Sequence, residues 1–175
     1  MRQLAILVAA LALAPSAAAA KPSFKLWDLQ TDLAHASRNS FGDVQVKPRA
    51  EIAPHGVPVR CAAWCRFGVG WIAFRADPHL RSADVEAAAV DYSKRLGWTV
   101  RLTLRPSAVA RWNAFDRGLR LGAKQRGVAD VLVVTVGDQI AAAPLADQIR
   151  AGKGVVTLTG FSRASAKALE NALKH

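Results

Sequence analysis

Two cysteines close together are the residues of this sequence whose spacing most directly suggests chemistry. Cys61 and Cys65 enclose three residues in Cys-Ala-Ala-Trp-Cys. An even number of cysteines in a protein outside the cytoplasm indicates a disulfide, whereas thioredoxin-type redox motifs have two intervening residues. A zinc site would need further ligands, for which His55 and His79 are the nearest histidines. We therefore predict a Cys61–Cys65 disulfide, with free thiols, metal binding and redox chemistry as the alternatives.

The other polar residues form no recognisable catalytic motif. The four histidines are scattered along the chain, and neither Gly-x-Ser-x-Gly nor His-Glu-x-x-His occurs in it. Asp130 and Asp138 flank one predicted strand, where solvated turn residues are a simpler interpretation than an acid/base pair. The sequence therefore predicts a protein that is not an enzyme and that has no cofactor and no metal site.

The charge of the chain predicts an attraction to anionic partners. The formal net charge is +11 at pH 7, and strongly basic proteins attract polyanions. The basic residues are dispersed, however, and no basic run marks a nucleic-acid-binding tail. A dense group lies on a predicted helix, where Arg117, Arg120 and Lys124 fall opposite the apolar residues. We take these three as candidate binding residues for a protein or peptide partner or an anionic envelope surface, and expect no specific nucleic acid.

The first 20 residues have the layout of a secretory signal peptide. Met1 and Arg2 form a short positive start, residues 4–14 are apolar, and small residues precede Lys21. The apolar run is shorter than the ~20 residues of a membrane-spanning helix, and no later segment reaches that length. We expect residues 1–20 to be removed and a periplasmic protein without a transmembrane segment to begin near Lys21; a retained membrane anchor is the alternative.

Hydrophobic periodicity predicts strands and helices through the rest of the chain. Strict alternation of apolar and polar residues predicts a half-buried strand at 98–105, and Gly137-Asp138 predicts a type II′ hairpin. The alanines at 87–89, after a possible cap at Ser82, predict a helix over 82–96. Further strands are predicted at 57–62, 66–75, 131–136, 139–143 and 155–159, and further helices at 107–121 and 162–174.

This order of elements indicates the α+β class, with a mainly antiparallel sheet and helices packed on one face. We expect the four strands at 98–105, 131–136, 139–143 and 155–159 to share one sheet. In the helix at 107–121, Trp112 lies in the apolar stripe and should face the core.

Motifs in the last third of the chain resemble those of a protein-export family. They are Ile140-Ala141-Ala142-Ala143-Pro144, then Thr157-Leu158-Thr159-Gly160-Phe161, then a helix rich in alanine and leucine. In this order they resemble the head subdomain of the first periplasmic domain of SecD and SecDF, over residues 76–174. The chain departs from the family at Gly137-Asp138, where the family has Asp-Gly, and in having none of the SecD transmembrane helices. Energy coupling therefore cannot be carried over.

The resemblance implies a head-like domain at 76–175, preceded by an extension at 21–75 that carries the cysteine pair. It also implies contact with exported polypeptides or with envelope and translocation proteins. We therefore expect a non-catalytic periplasmic binding module. The alternatives are a basic protein that binds polyanions or a membrane surface through its charge, and a thiol redox protein. Salt should distinguish the first two, because a charge-driven complex weakens as ionic strength rises.

Overall fold

The computed structural model describes residues 22–34, 44–62 and 68–174. The predicted signal peptide and Cys65 lie outside these ranges, so the structure tests neither the cleavage site nor the disulfide. Within them, no helix is long and apolar enough to cross a membrane.

The described chain forms ten strands and four α-helices. The strands are β1 Phe24–Asp28, β2 Val57–Cys61, β3 Gly70–Phe74, β4 Leu80–Arg81, β5 Val85–Ser93, β6 Gly97–Leu104, β7 Leu132–Val136, β8 Gln139–Ala142, β9 Arg150–Gly152 and β10 Val155–Phe161. The helices are α1 Leu29–Asp32, α2 Arg49–Ile52, α3 Pro106–Arg126 and α4 Arg163–Leu173.

The strands form two sheets. The larger has the order β3-β2-β8-β7-β1-β4, and the smaller has the order β5-β6-β10-β9. Every neighbouring pair is antiparallel except β2 and β8, which run parallel and meet at Arg60 and Gln139. The predicted α+β class with mainly antiparallel sheets is confirmed.

Two apolar clusters lie on opposite faces of the larger sheet. Neighbouring residues of a strand point to opposite faces, and β1 accordingly places Leu26 in one cluster and Trp27 in the other. The first cluster is the main core, because strands of both sheets and helices α3 and α4 contribute to it. The second cluster is built mainly from β1, β2, β3 and β7.

Helix α3 extends five residues beyond its predicted end at 121, to Arg126, and sequence features mark both of its ends. Pro106 occupies its first turn, where a missing N–H costs nothing, and Gly127 follows its last turn at φ 70°, in the left-handed conformation that favours glycine. Its buried residues are Ala108, Trp112 and Leu119. The predicted core-facing stripe with Trp112 is therefore confirmed.

The β7–β8 hairpin also follows its sequence. Gly137 has φ 62°, whereas Asp138 is not among the described residues with positive φ. Positive φ at the first turn residue alone is the requirement of a type II′ turn, so the predicted turn is confirmed.

The predicted helix over 82–96 is wrong. Ser82 begins only a short 3-10 turn, and residues 85–93 form β5, which pairs with β6 from Val85 to Ser93. Alanine favours helices by only a fraction of a kcal/mol per residue, and such preferences are weak beside tertiary pairing. The β6 strand needs a neighbour on this side, and pairing with it overrides the local preference.

The prediction of a single sheet is also wrong. The strands at 98–105 and 155–159 lie in the smaller sheet as β6 and β10, whereas those at 131–136 and 139–143 lie in the larger sheet as β7 and β8. The larger sheet is completed by β1, β2 and β3, which come from the predicted extension at 21–75. Periodicity reports which face of a strand is buried but not which strand lies beside it, so this assignment could not be read from the pattern.

Candidate functional site

The basic residues predicted on α3 lie on its exposed side. Arg117 and Lys124 are exposed, but Arg120 is held by Asp116, with Nε 2.9 Å from Oδ2 and Nη2 3.1 Å from Oδ1. The hydrogen bonds that Arg120 donates to Asp116 raise the pKa of the Arg120 guanidinium, which stays charged. Because Asp116 compensates that charge, the free positive charge of this face lies at Arg117 and Lys124, and their role in binding stays a prediction.

Cys61 is fully buried at the end of β2, within the second apolar cluster. Cys65 lies outside the described residues, so the disulfide stays a prediction. No group of His, Cys, Asp and Glu in the described ranges could hold a metal ion.

A groove lies at the β2–β3 end of the larger sheet, and sequence analysis did not predict it. It has a volume of about 590 Å³. We call it the basic groove. Its lining residues come from β2, β3, β8, the β7–β8 turn, α2 and the segments before α2 and β3: Val46, Lys47, Pro48, Arg49, Arg60, Val69, Gly70, Trp71, Asp138 and Gln139.

Strand pairing sets the centre of the basic groove. Arg60 and Trp71 are direct cross-strand partners, so their side chains are neighbours on one face of the sheet. That face is opposite the second apolar cluster, because Val59, Cys61 and Ile72 on either side of them are buried in it. The adjoining β8 pairs at Arg60, whose backbone N–H donates to the Asp138 carbonyl oxygen at 2.6 Å.

The segment before α2 closes one side of the basic groove. Lys47 and Trp71 exchange two backbone hydrogen bonds, of 3.1 and 2.9 Å. This approach requires glycine at position 70, because a Cβ there would lie 2.6 Å from Val46 Cβ. The Arg49 guanidinium consequently sits over the Trp71 ring, 4.9 Å from its centroid, within the distance of a cation–π contact.

The charge of the basic groove is not balanced by its surroundings. Lys47, Arg49 and Arg60 are exposed, and none takes part in the ion pairs found among the described residues. Asp138 is the acidic residue of the lining. The groove therefore carries three cations against one carboxylate, beside the Trp71 ring, a setting suited to an anionic group joined to a flat or apolar one.

A second polar cluster lies where β1 ends and β7 begins, and it contains three buried carboxylates. Asp28, Asp32 and Asp130 are 4%, 6% and 3% exposed. Asp130 accepts from Arg126 Nη2 at 2.5 and 2.6 Å. The expectation that Asp130 is a solvated turn residue is therefore wrong, whereas Asp138 is exposed as expected.

The carboxylates of Asp28 and Asp32 organise the start of α1. Asp28 accepts from the backbone N–H of Gln30 at 2.9 Å and from the Thr31 hydroxyl at 3.1 Å, and Asp32 accepts from the backbone N–H of Asp28 at 2.7 Å. Burial raises the pKa of Asp28, the bond from Gln30 lowers it, and the charges of Asp130 and Asp32 raise it further. These bonds are those of a helix cap.

His79 borders the same cluster. Its Nε2 lies 3.1 Å from Asp32 Oδ2, although the orientation is outside hydrogen-bonding geometry. Its ring stacks on Phe115, with centroids 3.6 Å apart. The cluster resembles a structural junction between α1, β7 and α3 more than a catalytic site, because its carboxylates already accept hydrogen bonds from their neighbours.

Comparison with known proteins gives a structural likeness only. No family model and no curated protein matches the chain. The chain is similar to a solved structure described as a membrane component SecDF that enhances protein export, at 14% identity and a TM-score of 0.47, covering 87% of this chain and 62% of that one. It is also similar to SecDF in a super-membrane-facing form, at 16% identity and a TM-score of 0.44, covering 87% and 18%. The chain spans less than two thirds of the length of either structure.

Proposed function

We propose that this protein is a non-catalytic periplasmic module that binds extended segments of exported or envelope polypeptides. The observation that carries the proposal is the basic groove, in which three cations that form no ion pair among the described residues lie around the half-buried Trp71. Charge-assisted hydrogen bonds to carboxylates are roughly twice as strong as neutral ones. A volume of about 590 Å³ falls within the range of ligand pockets and suits a few side chains. The preferred client segment is acidic and carries an aromatic or apolar residue for Trp71.

Binding of a dye-labelled acidic peptide, followed by fluorescence anisotropy, tests the proposal. Arg60→Gln should weaken binding by about tenfold, because it removes one charge-assisted hydrogen bond from the groove. Arg101→Gln is the matched control, since Arg101 is also an exposed strand arginine but does not line the groove. Trp71→Leu should lower the affinity for a peptide that contains an aromatic residue more than the affinity for a peptide that does not.

The control decides between site-specific and diffuse binding. If Arg101→Gln weakened the peptide as much as Arg60→Gln, binding would follow the net charge rather than the groove. The alternative of a polyanion- or membrane-surface-binding protein would then be favoured, and vesicles containing anionic lipid should bind at least as well as the peptide. If no acidic peptide bound at all, the proposal would fail.

Two other assignments, a thiol redox role and export, depend on fewer residues. A thiol redox role is not favoured, because Cys61 is fully buried and reactive cysteines sit in partly exposed, electropositive surroundings.

Export is proposed from the signal-peptide layout, and mass spectrometry of the periplasmic protein should find its N-terminus within a few residues of Lys21. A full-length form retained in the membrane would contradict the assignment.

A further inference from the structure

A row of four side chains crosses the basic groove. Lys47 is bridged to Trp71, and Trp71 pairs with Arg60. Arg60 in turn pairs with Gln139 on the next strand. Directly paired residues point to the same face of a sheet, so the four side chains stand next to one another in this order. Neighbouring strands lie about 4.8 Å apart, which makes the row about 14 Å long.

Charge is distributed unevenly along this row. Lys47 and Arg49 lie at one end, beside β3. Asp138 lies at the other end, because it directly precedes Gln139 and lines the same groove. The groove therefore has a cationic end and an anionic end, with Arg60 between them.

The carboxylate of Asp138 is open to a ligand. Asp138 is exposed, and in the described part of the chain its side chain takes part in none of the ion pairs. Its bond with Arg60 joins the two backbones and leaves the carboxylate oxygens available. A carboxylate only accepts hydrogen bonds, so Asp138 suits an ammonium or guanidinium group of a ligand.

The groove also offers apolar surface to a ligand. Val69 is 64% exposed and lines the groove, and the Trp71 ring, which also lines it, is half-buried. An apolar or aromatic side chain placed between the two charged ends would cover surface that otherwise contacts water. Removing apolar surface from water favours binding.

We infer that the basic groove selects a polypeptide segment by the order of its side chains: a carboxylate, an aromatic or apolar residue and a basic residue, at alternate positions. Alternate residues of an extended chain point to one face, and four residues span about 13 Å, which matches the length of the row. The carboxylate then lies at Lys47 and Arg49. The aromatic residue covers Trp71 and Val69, and the basic residue reaches Asp138. The inference rests on the proposed function and specifies the segment that the groove would take.

Net charge alone predicts the opposite preference. The groove carries three cations against one carboxylate, so a ligand that bound only through net charge would lose affinity on gaining a basic residue. A segment that bound in the inferred order would gain affinity from the same residue, because its charge pairs with Asp138. Residues that face away from the groove do not enter this comparison, so the segment as a whole can still be acidic.

Three dye-labelled peptides, compared by fluorescence anisotropy with the unaltered protein, test the order of charges. The first carries glutamate, phenylalanine and lysine at alternate positions among threonines, and the second has glutamine in place of the lysine. The third has the composition of the first, but its lysine directly follows the phenylalanine and therefore faces away from the groove. The first should bind about threefold more tightly than the other two, which is the usual size of the effect of an exposed ion pair.

Asp138→Asn supplies the complementary change in the protein. Asparagine is favoured in turns, so the variant should fold, and it should bind the lysine and glutamine peptides equally. Asp147→Asn is the matched control, since Asp147 is also exposed but does not line the groove. This control should keep the threefold preference for the lysine peptide.

Equal or tighter binding of the second or third peptide to the unaltered protein would overturn the inference. The proposed function would still stand in that case if Arg60→Gln weakened the binding of all three peptides. A preference for lysine that persisted in Asp138→Asn would also overturn the inference, because the basic residue would then be bound elsewhere. If none of the three peptides bound, the proposed function and the inference would both fail.

Discussion

Truncating Trp112 to alanine should destabilise the protein by ~3–5 kcal/mol, the usual cost for a large buried aromatic residue. Trp112 is 2% exposed within the main core and packs edge-on against Phe115, with ring centroids 5.5 Å apart. An aromatic side chain buries about 150–250 Å², which at ~25 cal/mol per Å² is about 4–6 kcal/mol. Its Nε1 is buried without a hydrogen-bond partner, which reduces this stabilisation by about 1–3 kcal/mol. The cavity left by truncation adds to the cost of the substitution.

Urea unfolding followed by circular dichroism measures this change without relying on tryptophan fluorescence. Trp112→Phe should cost only ~1–2 kcal/mol, because it keeps a ring against Phe115 and removes the unpaired N–H. Arg117→Ala, on the exposed side of the same helix, should change the free energy of unfolding by less than about 0.5 kcal/mol. Comparable losses for Trp112→Ala and Arg117→Ala would refute the assigned orientation of α3.

The buried carboxylates and the cysteines give three further tests. Because the pKa of Asp28 is raised, its carboxyl group holds a proton more tightly in the folded protein than in the unfolded one. Asp28 therefore lowers the free energy of unfolding as the pH rises from 3.8, the ordinary pKa of an aspartate, through the raised pKa. The Asp28→Asn variant keeps a capping oxygen without the charge. Its free energy of unfolding in urea, relative to that of the unaltered protein, should therefore rise with pH over that interval. If the difference between the two free energies stayed constant with pH, the raised pKa of Asp28 would be contradicted. Arg126→Ala should cost about 2 kcal/mol, because it leaves the buried Asp130 unpaired, whereas Arg126→Lys should recover part of that loss. Intact-mass measurement should show Cys61 and Cys65 as a disulfide, and alkylation of both in the unreduced protein would contradict it.

The elements that could be predicted from the sequence are those whose pattern of burial depends on a single short segment of the chain. The alternation of β6 requires only that one face be buried, and Val100, Leu102 and Leu104 are buried as expected. The stripe of α3 is likewise set within a single helix. The turn at Gly137 depends on one backbone conformation that glycine adopts readily. In each case the physical cause lies within a few residues of the pattern that reports it.

The features that the sequence did not reveal depend on contacts between distant residues. Helix propensity predicted a helix at Ala87–Ala89, but pairing with β6 decides the structure there. Asp130 was expected at the surface because nothing nearby in the sequence marks its burial. Its partner Arg126 is four residues away, but α3 ends at Arg126, so the helical i,i+4 rule does not predict their ion pair. The basic groove brings together Arg60, Trp71 and Asp138, which only the sheet order makes neighbours.

Binding in the basic groove should depend on salt, and one titration can test this. The groove carries three cations and one carboxylate, so its affinity for an acidic peptide should fall as salt shortens the range of electrostatic attraction. Arg60→Gln should make this fall less steep, whereas Arg101→Gln should change it less. An affinity that did not change with salt would mean that the cations of the groove do not carry the binding.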